Sequence, residues 1–107
     1  MKASVKITVL KKLFSSNLVD NYTDSNDWKP CEMLKEGQEF ISENVEMPSG
    51  FCSWAWADIQ KYVMALARGA NFIGVKPGLF ITCCTDGFRP VIFKLERIDE
   101  AKKNLSN

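Results

Sequence analysis

The stretch from Ser53 to Gly69 constrains this chain most, because it reads as an amphipathic helix set off by breakers at both ends. Met47-Pro48-Ser49-Gly50 introduces it, Ser53 is placed to cap its first turn, and Gly69 can take the left-handed conformation that ends a helix. Ala55, Ile59, Tyr62, Val63, Leu66 and Ala70 fall on one face, while Asp58, Lys61 and Arg68 can face water. A single apolar helical stripe has to be buried against another layer, and the remaining periodicity in the chain is that of strands.

Val5, Ile7 and Val9 alternate with Lys6 and Thr8, predicting a half-buried strand over about Ser4–Phe14 with a bulge or exit where the parity breaks at Leu10. Ser15 or Ser16 can cap a short helix through Asn21. Thr23 to Pro30 is a polar loop interrupted by Trp28, and Lys35-Glu36-Gly37 turns into a short strand, Gln38–Glu43, with acids on its solvent side. Pro77-Gly78 opens a strand over Leu79–Cys84, and Val91–Ile98 is the last. These two pair as a hairpin. A two-residue Asp86-Gly87 turn would set Pro90 opposite Cys83 at a position that must donate to the ladder, and proline has no N–H, so a longer or bulged loop is expected at Thr85–Arg89. The sum is a single α+β domain: about four mostly antiparallel strands, one main helix and one short helix, with an ordered core over about 4–98 and a polar C-terminal tail over 99–107. A sheet that curls partly into a barrel fits the same pattern.

Composition narrows the chemistry. The chain of 107 residues has no histidine, which excludes Ser-His-Asp and Cys-His catalysis, His-ligated metals and an imidazole switch near neutral pH. Fourteen Lys and Arg against thirteen Asp and Glu leave a net charge of +1; with no basic stripe beyond Lys11-Lys12, nucleic acid is not an expected partner. No apolar run approaches the ~20 residues that span a bilayer, so no membrane partner is expected. Met1–Leu10 interleaves lysines with apolar residues and lacks the core of a signal peptide, which predicts a cytoplasmic location. In a reducing compartment the four cysteines read as thiols or metal ligands before disulfides.

Cys52 lies at the start of the main helix, where unpaired amide N–H groups and the helix dipole favour a thiolate over a thiol; the plain alternative is an inert, buried cysteine. Cys83 and Cys84 are strand neighbours and point to opposite faces. Ile81 shares the face of Cys83, and Thr82 that of Cys84, so Cys83 is assigned to the core and Cys84 to a candidate site. Asp86 and Arg89, on the following loop, can orient a bound polar group or pair with each other, and Asp-Gly is also ordinary turn chemistry. Cys31 follows a proline in a loop. Cys31, Cys52 and Cys84 can converge at one rim of a sheet; with Asp86 or water they would make a chemically sensible zinc or iron site, although no C-x-x-C knuckle is present. Phe51, Trp54 and Trp56 form an aromatic collar whose default place is the core. Trp54, however, falls on the Asp58 and Lys61 side, so the Asp-rich loop, a ligand or another subunit has to cover it. There is no phosphate-binding glycine loop, no G-x-S-x-G and no glycosidase-like carboxylate pair.

The stretch Gly50-Phe51-Cys52-Ser53-Trp54-Ala55-Trp56-Ala57-Asp58-Ile59, with Cys31-x-x-x-Lys35-x-Gly37-x-x-Phe40 and Cys84-x-Asp86-Gly87-x-Arg89-Pro90-Val91-x-Phe93, resembles a small family of uncharacterised bacterial and archaeal proteins of about this length. The likeness runs from Val5 to Ile98. It implies that Cys31, Cys52 and Cys84 are the family's three cysteines and that Cys83 has no counterpart. Many relatives carry Gly-His where this chain has Leu34-Lys35. No activity follows from the resemblance.

Two readings result. The first is a small cytoplasmic protein with a site at Cys31, Cys52 and Cys84, flanked by Trp54, Asp58, Asp86 and Arg89, for thiolate chemistry or a thiophilic metal. Its catalytic candidates are Cys52, Cys84 and Asp86; Cys31, Trp54, Asp58 and Arg89 would bind an unidentified small molecule. The second is a non-enzymatic binding or assembly module, with structural cysteines and an aromatic surface that meets a partner or a second copy in a homo-oligomer.

Overall fold

The computed structural model describes residues 3–99, the side chain of Asp99 excepted. The expected C-terminal tail, Asp99 apart, lies outside the described residues. Six elements follow in order: β1 (Ala3–Lys12), α1 (Ser16–Tyr22), β2 (Glu39–Ser42), α2 (Ser53–Ala67), β3 (Leu79–Cys83) and β4 (Val91–Asp99). The strands form one sheet in the order β2-β1-β4-β3, antiparallel at every pairing. The α+β expectation holds, but the sheet stays open rather than rolling into a barrel. Its edges are β2 and β3, of four and five residues, against ten and nine for the central pair.

Register assigns the two faces. Val5, Ile7 and Val9 lie opposite Arg97, Leu95 and Phe93, and together with α2 they enclose the core, in which Val5, Ile7, Val9, Ile59, Val63, Leu66, Phe93 and Leu95 are fully buried. The other face carries Lys6, which pairs with Glu39 at 3.6 Å and Glu96 at 3.9 Å. Such part-exposed ion pairs contribute about 1 kcal/mol at most, so burial under α2 dominates stability. The parity break at Leu10 is a β-bulge: pairing with β4 shifts between Val9 and Lys11 and turns Leu10 outward.

Helix α2 starts one residue earlier than the capping pattern suggested. Cys52, not Ser53, is the N-cap; its carbonyl accepts from Trp56 N at 2.9 Å. The far end closes as a Schellman motif, with Ala70 N bonded to Ala65 O at 2.9 Å and Gly69 N to Leu66 O at 3.0 Å, Gly69 having φ +97°. Ala67 therefore takes the buried place expected of Ala70, which lies exposed beyond the helix. Ser15 caps α1, its Oγ accepting from Leu18 N at 3.4 Å.

The β3 parity is right but its orientation is inverted. Phe80 and Thr82 pair with the buried Leu95 and Phe93, which puts them and Cys84 on the face that α2 covers. Cys83 pairs with Ile92 on the open face, beside an Ile81 that is 48% exposed. Cys83 is thus not a core residue, and Cys84 packs against the core.

Candidate functional site

Three separate segments meet where α2 begins and the β3–β4 hairpin ends. The first is the turn into α2. Gly50 adopts φ +80° and lets Phe51 N bond to Pro48 O at 3.2 Å. Phe51 is buried, its ring 5.0 Å from that of Phe40 and 5.5 Å from that of Phe93. With Phe51 wedged there, Cys52 is fixed at the helix start, and its sulfur makes no capping bond. No acidic side chain occupies the first turn of α2, so its positive end is left uncompensated by the helix itself.

The second segment is the hairpin. Cys84 N bonds to Val91 O at 3.1 Å, and Val91 N returns a bond not to a carbonyl but to Cys84 Sγ, at 3.3 Å. The next residue, Thr85, is held by Asp58 of α2: Thr85 N to Oδ2 at 2.9 Å and Thr85 Oγ1 to Oδ1 at 3.0 Å. Asp86 then organises the longer loop that Pro90 demanded. Its Oδ1 accepts from Phe88 N at 3.1 Å and Arg89 N at 3.3 Å, and its Oδ2 from Arg89 Nε at 3.0 Å. Asp86 and Arg89 therefore close a turn and pair with each other, two of the three roles the sequence allowed.

The third segment is the loop that carries Cys31. Arg89 reaches it, with its guanidinium 5.0 Å from the Trp28 ring centre and Nη1 3.5 Å from Lys29 O. Leu34 is buried, and its carbonyl accepts from Lys12 Nζ at 2.9 Å.

Between these segments lies a cavity of about 610 Å³, and every candidate site residue of the first reading lines it: Cys31, Cys52, Trp54, Asp58, Cys84, Asp86 and Arg89. The three cysteines are half-buried free thiols. Trp54 leaves the aromatic collar; it is 81% exposed, while Phe51 and Trp56 pack into or against the core. Leu34, Ala55 and Val91 complete the apolar wall, and Glu32 and Met33 the rim. Thr85 and Glu32 were missed by sequence reasoning; the only signal was adjacency to Cys84 and Cys31.

The metal expectation gains no support from the side-chain arrangement. Among the described residues no group of three or more Cys, Asp or Glu side chains is arranged to hold a metal ion. Sharing a cavity of this size is a looser condition than the separations of about 3.5–4 Å that a tetrahedral thiolate set imposes through ~2.3 Å bonds. The fold therefore presents three thiols to a common space without a preformed zinc or iron site.

Comparison with family models, with curated proteins and with solved structures finds no match. No helix among the described residues is long and apolar enough to cross a membrane.

Proposed function

We propose that this chain binds a small molecule in the thiol-lined cavity and acts on it through sulfur, with Cys52 as the attacking group. The observation that carries this reading is the convergence of three of the four cysteines, from three segments, on one cavity. Cys52 is the N-cap of α2, beside first-turn N–H groups that no acidic side chain of the helix compensates. Cys84 and Asp86 flank it from the hairpin, and Cys31 closes the space from the opposite loop. Apolar walls with a few polar groups at the mouth are the usual make-up of small-molecule sites, and the volume is within their common range. The thiol version asks only that the sulfurs share the cavity, whereas a zinc or iron version needs a ligand group that is absent among the described residues.

Time-resolved alkylation of the native protein tests this. With iodoacetamide each modification forms one S–C bond, iodide leaves with the bonding pair and the thiol proton passes to solvent, and mass spectrometry assigns it to a cysteine. Modification of Cys52 is expected to slow that of Cys31 and Cys84 and to leave Cys83, on the other face, unaffected. Four independent rates, or a Cys52 that does not react, would overturn the reading.

The exposure of Trp54 favours a second reading, an assembly surface at which this ring meets a partner or a second copy in a homo-oligomer. Sedimentation separates the two: a monomer at all concentrations removes the homo-oligomeric form.

A further inference from the structure

We infer that the cavity selects small apolar molecules that carry a positive charge; this rests on the cavity being a ligand site, as proposed above. Three carboxylates, Glu32, Asp58 and Asp86, line the cavity against one cation, Arg89. Arg89 is already committed: Nε to Asp86 at 3.0 Å, Nη1 to Lys29 O, and its plane near the Trp28 ring. Asp58 receives only the neutral donors of Thr85, and among the described residues no lysine or arginine pairs with Asp58 or Glu32. Lys61, three residues after Asp58, turns instead to the Tyr62 ring, 5.2 Å from its centre. Three carboxylates less one guanidinium leave a formal charge of −2 on the lining. The helix end at Cys52 returns only about half a positive charge, so the sign at the mouth stays negative.

Trp54 points to the same ligand class. It stands one helical turn before Asp58 on α2, so ring and carboxylate share a face about 5–6 Å apart at their Cβ atoms. The ring is 81% exposed, an unused π-face beside a carboxylate that lacks a counter-ion. A cationic head seated between them gains both contacts, while its apolar body meets Leu34, Ala55 and Val91.

Calorimetric titration with benzyltrimethylammonium, benzyl alcohol and phenylacetate tests the inference, with protection of Cys52 against iodoacetamide read in parallel. The cation is expected to bind about tenfold more tightly than the anion at low salt, with the gap narrowing as salt is raised. Trp54→Leu, at an exposed position, should weaken the cation by about two- to fivefold. Glu32→Gln should narrow the difference between cation and anion. Equal affinities, or tighter binding of phenylacetate, with Cys52 protected throughout, would overturn the charge selection and leave the cavity reading standing. No binding and no protection by any of the three at millimolar concentration would overturn both.

Discussion

Asp58 on α2 grips Thr85 through both carboxylate oxygens, tying the helix to the hairpin directly beside Cys84. The pair spans 27 residues, and both of its members line the cavity. Because the acceptor is charged but the pair is partly solvated, Asp58→Ala should cost about 1 kcal/mol, read as a lower urea midpoint at unchanged slope. With the hairpin released, Cys84 should alkylate faster while Cys83 keeps its rate. Unchanged kinetics at Cys84 would show that Thr85 is held by other means.

The sulfur of Cys84 substitutes for a ladder carbonyl by accepting from Val91 N at 3.3 Å. Val91 is buried, so deleting that acceptor strands an N–H away from water. Cys84→Ala should therefore destabilise the fold by about 1–3 kcal/mol, and Cys84→Ser, which keeps an acceptor, by less. Denaturant titration of the two variants side by side decides it; equal losses would mean that the thiol contributes packing alone.

These two relationships show where local pattern stops being informative. The β1 bulge at Leu10, the presence of α2 with its stop at Gly69, and the long hairpin loop were all legible, because each follows from side-chain period, a breaker residue or the missing N–H of Pro90, within a few residues of the feature itself. Period 2 also separated Cys83 from Cys84, but parity states only which residues share a face, not which face a helix will cover. Thr82 made one face of β3 look solvated, yet it lies opposite Phe93 beneath α2, and the apolar Ile81 is the one left half in water. Cys84 does line the cavity, but not because its face is solvated: it belongs to the covered face, at the point where the strand ends. The partner of Asp58 was out of reach for the same reason, since only the folded chain brings Thr85 to it.

Two glycines that look alike in the sequence should behave differently. Gly69 has φ +97° with nothing near its missing side chain, so the cost of Gly69→Ala is purely conformational, about 1–2 kcal/mol. Gly87 follows Asp86, yet its φ is not in the left-handed range and the space around it is open. Gly87→Ala should then be neutral or stabilise by up to about 1 kcal/mol through the unfolded chain. Thermal unfolding of both variants measures the contrast, and a large loss at Gly87 would refute the loop geometry that holds Asp86 and Arg89.

The aromatic collar divides into a structural and a functional half, and paired substitutions separate them. Phe51 is buried among Phe40, Trp56 and Phe93 and orients the start of α2, so Phe51→Ala should cost about 3–5 kcal/mol and perturb Cys52 with it. Trp54 is 81% exposed, and its ring makes no aromatic contact among the described residues. Trp54→Ala should hold stability within about 0.5 kcal/mol of the parent, while weakening protection of Cys52 by the cationic probe. A tryptophan that matters neither to stability nor to that protection would leave its exposure unexplained by a ligand and turn attention to a protein partner.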